Sequence, residues 1–241
     1  MGRRGLSGPP IILERAEVEE AVDTPQAEPA PLTRAASPDE RRIGVLGGTF
    51  DPPHLGHLWL ATLAAEEVEL DRVLFMPAGE PPHKRDRPLS AAADRLLMTR
   101  LAIAGVERFE LSPLEIERTG PSFTVDSVEE LRRVHGPATR LFLVMAADSL
   151  VQIDTWREPD RLLQLVEWVV GPRPGAVADQ AAVAERFGSA AVRIHLLDGP
   201  ALDVSSSEIR RRVAAGRTIR YLVPRSVEQH IQERGLYRAP R

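Results

Sequence analysis

Short runs of apolar and β-branched residues alternate with longer segments of helical period through most of this chain. Strands that alternate with helices predict a parallel sheet, with right-handed crossovers that place helices on both faces. The 241 residues are 43% hydrophobic, which is enough to bury one core of that kind. We therefore predict an α/β fold with a single doubly wound, Rossmann-like domain and a mainly parallel sheet of five or six strands.

Five runs have the strand pattern, and longer segments between and after them have the helical one. The predicted strands lie at 42–47, 72–78, 140–146, 167–172 and 192–198. The predicted helices lie near 56–69, 90–105, 124–134 and 177–187. Two C-terminal helices are expected to begin near Ser205 and Pro224, the second with proline as a suitable first residue. In such a sheet, ligands bind beyond the carboxyl ends of the strands.

The first 41 residues differ from the rest in composition, being rich in Pro, Ala, Glu and Arg with little apolar periodicity. A segment of this kind buries too little surface to offset the entropy lost on ordering, so residues 1–41 are predicted to be a disordered tail. A short helix over 12–22, with a role in regulation or partner binding, is the alternative within it. Residues 42–241 are predicted to form the folded domain.

Charge and composition exclude several kinds of partner. With 31 basic and 35 acidic residues the formal net charge is −4, which argues against binding to polymeric nucleic acid. No segment has the roughly 18 consecutive apolar residues of a transmembrane helix, and the lack of cysteine excludes disulfides and thiolate metal sites. We expect a cytoplasmic protein without membrane contact. The oligomeric state stays open, and a homo-oligomer is compatible with the sequence.

The stretch GGTFDPPHLGH, at 47–57, directly follows the first predicted strand. Gly47 and Gly48 would let the backbone approach a ligand closely or adopt a positive φ. His54 and His57 lie at the predicted start of a helix, where both imidazoles and the positive end of the helix dipole can face one anion. The pattern matches neither the G-x-G-x-x-G motif nor a P-loop. It indicates a polyphosphate site; the alternatives are one capping and one solvated histidine, or a zinc pair without a recognisable third ligand.

A second polar element, VSSSEIRRR at 204–212, lies at the predicted start of a C-terminal helix. Ser205 and Glu208 have the S-x-x-E spacing of a capping box, which leaves hydroxyls and backbone N–H groups at the helix start. Arg210 adds a planar, permanently charged fork that suits phosphate oxygens. The plainer alternative is a capped surface helix whose three arginines are solvated.

Together the two elements resemble the signatures of the nucleotidyltransferase superfamily that has the H-x-G-H motif. The resemblance implies that the histidines bind and stabilise the triphosphate of ATP, and that the serine and arginine element closes over its β and γ phosphates. It implies catalytic roles for His54, His57 and Arg210. The ATP-binding residues that it implies are Gly47, Gly48, Thr49, Phe50, His54, His57, Asp148, Ser205, Ser206, Ser207 and Arg210.

Four further stretches resemble bacterial nicotinate-nucleotide adenylyltransferases. They are PPHK at 81–84, ERTGPSFTVDSVEEL at 117–131, AADSLVQIDTW at 146–156 and IRYLVPRSVEQHIQERGLY at 219–237. The resemblance, which now covers nearly all of 43–237, implies that Lys84 contacts phosphate and that Thr124 lies in the mononucleotide pocket. It also implies that Trp156 stacks on the nicotinate ring, a partner that suits an aromatic face.

Each of these three residues also has a structural alternative. Lys84 can belong to a solvated charge run, and Thr124 can be a helix cap, a role that Asp126 and Glu129 could equally fill. Trp156 can simply pack in the core.

Asp148 matches the superfamily's G-x-D motif, whose aspartate binds the nucleotide ribose, but Ala146 stands where glycine is usual. The extra methyl group could tighten the approach of the backbone to the ligand, or a small shift could absorb it. If the position requires a positive φ, alanine costs on the order of 1 kcal/mol, which would impair activity without abolishing it.

The resemblance implies adenylyl transfer from ATP to nicotinate mononucleotide, giving nicotinate adenine dinucleotide and pyrophosphate in NAD biosynthesis. It implies Mg²⁺ bound with ATP and no metal site built by the protein. The nearest rival is an enzyme that prefers nicotinamide mononucleotide. Transfer to pantetheine phosphate would leave GPSFT at 120–124 and Trp156 unexplained. A nucleotide-sensing protein of the same fold that has lost catalysis is the alternative from another class.

Overall fold

Six parallel strands form one sheet in the order β3-β2-β1-β4-β5-β6. The computed structural model describes residues 41–79, 89–175 and 179–238. The strands are β1 (Arg41–Gly48), β2 (Arg72–Pro77), β3 (Phe109–Leu111), β4 (Thr139–Ala146), β5 (Glu167–Gly171) and β6 (Ile194–Leu196). The predicted α/β class, the doubly wound order and the upper strand count are confirmed.

Helices connect the strands and close the chain. They are α1 (Leu55–Glu67), α2 (Ala92–Ile103), α3 (Leu114–Glu117), α4 (Thr124–His135), α5 (Ala147–Val151), α6 (Pro159–Leu165), α7 (Gln180–Phe187), α8 (Ser206–Ala214) and α9 (Arg225–Arg234). Two 3₁₀ segments, at Ile153–Thr155 and Gly188–Arg193, complete the described helical structure. No described helix has the length and apolar character needed to cross a membrane.

The two faces of the sheet bury separate apolar clusters, and the strand residues alternate between them as the pleat requires. In β4, Phe142 and Val144 pack into the cluster that contains α1, α2 and the C-terminal helices. Leu141 and Leu143 point to the opposite cluster, which contains α4 and α6. Burial on both faces explains why the central strands read as continuous apolar runs in the sequence.

The order of the strands reverses between β1 and β4, which are neighbours in the sheet although the chain between them forms β2 and β3. Connections from the carboxyl ends of these two strands leave toward opposite faces, so a crevice opens between them. The sequence GGTFDPPHLGH occupies the end of β1, and the sequence AADS begins at the end of β4. The topology therefore brings both stretches to the same edge of the sheet.

Several short elements were not predicted. The edge strand β3 has three residues, and α3, α5 and α6 have four, five and seven, so none is long enough to show a clear periodic pattern. The helix predicted at 177–187 begins at residue 180 in the structure, after Asp179, whose side chain accepts a hydrogen bond from the Ala182 N–H at 2.7 Å. The predicted tail at 1–41 lies almost entirely outside the described residues, so its disorder and the domain boundary stay predictions.

Candidate active site

A cleft of about 660 Å³ opens at the carboxyl ends of β1 and β4. Every predicted site residue that the structure describes lines this one cleft, while Lys84 lies outside the described residues. Those lining residues are Gly47, Gly48, Thr49, Phe50, His54, His57, Thr124, Asp148, Trp156, Ser205, Ser206, Ser207 and Arg210. Residues from distant parts of the sequence therefore meet where the fold predicts a ligand.

Direct hydrogen bonds join the two predicted phosphate-binding elements, at 47–57 and 204–212. The Ser206 hydroxyl donates to the carbonyl oxygen of Pro52 at 2.8 Å. The Arg210 guanidinium donates from Nη1 to the carbonyl oxygen of Asp51 at 2.5 Å and from Nη2 to the Ser207 hydroxyl at 2.8 Å. The start of α8 is thus attached to the loop between β1 and α1, and the donors of both elements face the same volume.

The two histidines form a stacked pair at the start of α1. His54 precedes the first residue of the helix, and its ring lies 3.7 Å from the His57 ring, centroid to centroid. His57 Nδ1 accepts the backbone N–H of His54 at 3.2 Å, so the ring proton of neutral His57 is on Nε2, which can donate to an anion. A Cβ at Gly56 would lie 3.1 Å from the His54 ring, which explains the glycine between the histidines.

Phe50 supplies the rigid support behind this pair. Its ring is 1% exposed and meets the His57 ring edge-on, with 4.9 Å between the centroids. Its backbone has a φ of 48°, a strained value for a bulky residue. Gly47 and Gly48 have no positive φ, and a Cβ at Gly47 would meet no protein atom within 4 Å. The first glycine therefore borders open space in the cleft, and the left-handed turn is made by Phe50 instead.

The surroundings of His54 change its protonation strongly. Burial, and secondly the positive charge of Arg173, lower the pKa of His54 from 6.5 to about 4. Its Nδ1 is buried without a hydrogen-bond partner among the described residues. His54 is therefore a neutral group at physiological pH and not a second cation for phosphate.

The lowered pKa of His54 predicts a specific loss of stability in acid. Between about pH 6.5 and about pH 4 the unfolded chain binds a proton at His54 that the folded chain does not, so the free energy of unfolding falls as the pH falls. We expect this residue to contribute a loss of roughly 2 to 3 kcal/mol between about pH 7.5 and about pH 4.5. Urea unfolding of the wild type and of His54→Asn at both pH values measures it.

The asparagine side chain at position 54 cannot titrate, so the pH dependence of the variant's stability contains the contributions of all the other ionisable groups. The difference between the two proteins therefore isolates His54. Parallel pH dependences for wild type and variant would contradict the prediction.

The start of α8 has only half of the predicted capping box. The Ser205 hydroxyl accepts the Glu208 N–H at 3.2 Å, as a cap should. The Glu208 side chain, however, does not bond to the Ser205 backbone. It forms ion pairs with Arg211 and Arg212, which lie three and four residues later on the helix. The N–H groups of the first turn, together with the hydroxyls of Ser205, Ser206 and Ser207, therefore border the cleft.

The opposite end of the cleft has an aromatic and hydroxyl lining. Thr124 is the first residue of α4 and not its cap, since the preceding residue is Phe123 and the described residues provide no side-chain cap. Asp126 instead lies 3.8 Å from Arg157, whose guanidinium stacks over the Phe123 ring. Trp156 ends the 3₁₀ turn after α5 and both lines the cleft and packs against the apolar cluster below it.

Ala146 fits the end of β4 without strain. Its φ of −86° and ψ of 159° are ordinary for any residue, so the methyl group needs no left-handed conformation. Asp148, two residues later, lines the cleft and has its Oδ2 3.7 Å from Arg173 Nε. The sequence departure at this position therefore leaves the aspartate in place.

Arg173 is a site residue that sequence reasoning missed. It follows β5, lines the cleft, and donates from Nη1 to the carbonyl oxygen of Val204 at 3.0 Å. It thus connects Asp148 to the residue before Ser205. The only sequence signal is its position after a predicted strand of the sheet, in the segment VVGPRPG at 169–175.

Arg95 and Glu115 are two further buried charges around the cleft. The Arg95 guanidinium, on α2, is 3% exposed and donates to the carbonyl oxygens of Thr49 and Ala78 at 3.1 and 2.6 Å. Glu115 lines the cleft and accepts the Ser127 hydroxyl at 2.7 Å, and burial raises its pKa. In the sequence Arg95 reads as a charge on the solvated face of a helix, and Glu115 lies in a helix too short to have a periodic pattern.

Donors for a polyphosphate are thus collected at the switch point of a doubly wound sheet, which places the chain among the nucleotide-binding α/β proteins. Residues 45–212 match the family described as cytidylyltransferase-like. The chain is 47% identical over 197 residues to the "Probable nicotinate-nucleotide adenylyltransferase" of Thermomicrobium roseum, a match that covers 82% of this chain and 92% of that protein. It is 44% identical over 204 residues to the protein of the same name from Moorella thermoacetica, with the same coverage. The chain belongs to the cytidylyltransferase-like family and, within it, to the nicotinate-nucleotide adenylyltransferases.

A solved structure has the same fold. It is described as "Plasmodium falciparum nicotinic acid mononucleotide adenylyltransferase complexed with NaAD", and it superposes with a TM-score of 0.70 at 18% identity. The match covers 82% of this chain and 98% of that one. The second structure of the Plasmodium protein, complexed with APC, gives a TM-score of 0.69 at the same identity and coverage.

Proposed function

We propose that the chain transfers the adenylyl group of ATP to nicotinate mononucleotide, producing nicotinate adenine dinucleotide and pyrophosphate in NAD biosynthesis. The observation that carries the proposal is the convergence of both phosphate-binding elements on one cleft, with Arg210 and Ser206 bonded to the loop that precedes His54. Relatives that are 44 to 47% identical and named for this activity support it.

The reaction needs positioning and charge stabilisation more than acid–base chemistry. An oxygen of the mononucleotide phosphate attacks the α-phosphorus of ATP in line, and the bond from that phosphorus to the pyrophosphate oxygen breaks. The attacking phosphate is already an anion at neutral pH, so no general base is required. The aromatic end of the cleft would hold the mononucleotide and the histidine and serine end the triphosphate.

The residues at the triphosphate end are suited to charge that moves onto the leaving pyrophosphate. His57 donates from Nε2, and Arg210 has a fixed fork held by Asp51 and Ser207. The neutral His54 ring, stacked on His57, holds that donor in position. We propose that Asp148 binds the ribose of ATP, with Arg173 holding the aspartate.

We propose that Mg²⁺ enters this site on ATP. The described residues contain no group of three or more His, Cys, Asp or Glu side chains that could hold a metal ion. The triphosphate end is lined by imidazole, hydroxyl and guanidinium groups, which can donate hydrogen bonds to phosphate oxygens. When bound, Mg²⁺ would reduce the charge of the phosphates while keeping much of its own water shell.

Trp156 provides a test of the mononucleotide end. We expect Trp156→Ala to raise the KM for nicotinate mononucleotide by about 10- to 100-fold, because stacking on an aromatic ring is lost, and to leave the KM for ATP unchanged. Trp156→Phe should retain most of the affinity. Steady-state kinetics with each substrate varied in turn measure both effects. Trp59→Ala is the control, since that indole donates to the Pro200 carbonyl oxygen at 2.8 Å and does not line the cleft.

If Trp156→Ala raised the KM for ATP and the KM for nicotinate mononucleotide by the same factor, Trp156 would be a residue of the apolar cluster below the cleft and not of the substrate pocket.

Pyrophosphate release with ATP and each mononucleotide tests the function itself. We expect turnover with nicotinate mononucleotide, slower turnover with nicotinamide mononucleotide, and none in excess chelator. A preference for the amide would make the chain a nicotinamide-mononucleotide adenylyltransferase. Calorimetric binding of ATP without any pyrophosphate release would instead favour a nucleotide sensor.

A further inference from the structure

Asp51 is a buried carboxylate inside the first phosphate-binding loop, and the mechanism above gives its side chain no task. The residue is 1% exposed. The Tyr237 hydroxyl donates to its Oδ1 at 2.6 Å, and the Ser90 N–H lies 3.4 Å from its Oδ2. Because an ionised carboxylate is costly to bury without partners, the short bond from Tyr237, together with the Ser90 N–H and the charge of Arg95, helps to hold Asp51 in place.

The main chain of the same loop receives both groups of the second phosphate-binding element. The Asp51 carbonyl oxygen accepts Arg210, and the next carbonyl oxygen, that of Pro52, accepts the Ser206 hydroxyl. Asp51 is therefore bonded through its side chain to Tyr237 and through its backbone to Arg210. The bond from Tyr237 and the bond to Arg210 therefore meet in one residue.

Tyr237 is itself held in a defined place by the turn that ends α9. The helix ends at Gly235, which has a φ of 61°, and the Leu236 N–H donates back to the Ile231 carbonyl oxygen at 3.0 Å. Tyr237 follows with a φ of 64° and packs against the core cluster that contains α1 and α2. Burial, and secondly the Asp51 carboxylate, raise the pKa of Tyr237, so its hydroxyl remains a donor.

The helix α9 is fixed to the rest of the fold by polar contacts with α2. His230 Nε2 lies 2.9 Å from the Asp94 carboxylate, and the Ser226 hydroxyl donates to the Leu101 carbonyl oxygen at 3.0 Å. A turn attached to a docked helix has little freedom to move. The turn after α9 is thus held in place, and from it the Tyr237 hydroxyl reaches the Asp51 carboxylate.

We propose that Tyr237 is a positioning residue of the active site: through its hydrogen bond to Asp51 it sets the loop position from which Arg210 and Ser206 meet the terminal phosphates of ATP. The proposal rests on the proposed function. Tyr237 acts through Asp51 and does not touch the nucleotide. The last turn of the chain, 186 residues after Asp51, thereby becomes part of the triphosphate site.

The test replaces the hydroxyl alone. Tyr237→Phe is expected to lower kcat by about 10- to 100-fold through misplacement of the loop, with the KM for nicotinate mononucleotide unchanged. The affinity for inorganic tripolyphosphate should fall by a similar factor, while the affinity for adenosine stays the same. Tyr221→Phe is the matched control, because that ring is 79% exposed and its hydroxyl is not part of the site.

Two readouts separate positioning from a loss of stability. A destabilised protein would lose adenosine and tripolyphosphate binding together, whereas a displaced loop affects tripolyphosphate only. In an Arg210→Ala background, Tyr237→Phe should cause a smaller further loss of tripolyphosphate affinity than in the wild type, because part of its effect acts through Arg210. Isothermal titration calorimetry measures the two affinities, and thermal unfolding confirms that the variants are folded.

The proposal and the function it rests on fail in different ways. Unchanged kcat and tripolyphosphate affinity in Tyr237→Phe, or equal losses of adenosine and tripolyphosphate binding, would overturn the role of Tyr237. An absence of pyrophosphate release in the wild type and in Tyr221→Phe would overturn the proposed function. The binding measurements would still decide the role of Tyr237 in that case, since they require no turnover.

Discussion

Replacing His57 with alanine is expected to lower the rate of pyrophosphate release, at saturating ATP and nicotinate mononucleotide, by about 100- to 1,000-fold. The loss of one preorganised donor from a site where charge develops typically has an effect of this size. The His57 ring is preorganised in three ways: Nδ1 accepts the His54 N–H, one face stacks on His54, and the edge of the ring meets Phe50. Nε2 is thus held as a donor before any substrate binds.

The effect should be confined to kcat and to the phosphate end of the cleft. His57→Asn, which retains a donor of shorter reach, is expected to recover part of the rate. His135→Ala is the control, since that histidine ends α4 and does not line the cleft. A rate for His57→Ala within about threefold of the wild type would show that this imidazole does not meet the transferred charge, because threefold corresponds to less than 1 kcal/mol.

The placement of the first loop's residues at one cleft was predictable because its signal is local. The glycines at the end of β1, the histidines at the start of α1 and the apolar run before them are consecutive in sequence, so periodicity and helix-start chemistry alone place them together. The same holds for Ser205 and Arg210 at the start of α8. Their roles in catalysis remain predictions, while their convergence on one cleft is observed.

The protonation of His54 was not predictable in this way. The sequence treats His54 and His57 as two equivalent donors, and only the packed structure shows that His54 is buried beside Arg173 while His57 is half-buried. Desolvation depends on which elements cover a side chain, and that is decided by the order of the strands and not by the spacing of the histidines.

The supporting residues were hidden for the same reason. Arg95 occurs within a helical segment where a charge is typical of a solvated face, yet the loops after β1 and β2 cover it. Arg173 follows β5, and only the neighbouring position of β4 in the sheet brings it to Asp148. Three-residue β3 also depends on its neighbour β2, since so short an edge strand has no periodic signal of its own.

Arg210→Ala is the second variant expected to have a large effect, with a loss of about 100-fold or more in kcat and weaker binding of inorganic tripolyphosphate. The Arg210 guanidinium is permanently charged and reaches from α8 to the loop between β1 and α1. Its hydrogen bonds to the Asp51 carbonyl oxygen and the Ser207 hydroxyl orient it before ATP binds. Arg210→Lys should recover the charge but not the fork, and so only part of the rate. Arg211→Ala is the matched control on the same helix, because that side chain is 71% exposed and pairs with Glu208.

A loss confined to the KM for ATP, with kcat unchanged, would mean that Arg210 binds the ground state and the transition state equally well. Equal effects of Arg210→Ala and Arg211→Ala would mean that the charge of α8 acts at long range. A long-range effect of this kind on kcat would become smaller with added salt, whereas a direct contact inside the cleft is screened much less. Kinetics at two ionic strengths therefore distinguish a hydrogen-bonded fork over the terminal phosphates from a general positive field at the start of the helix.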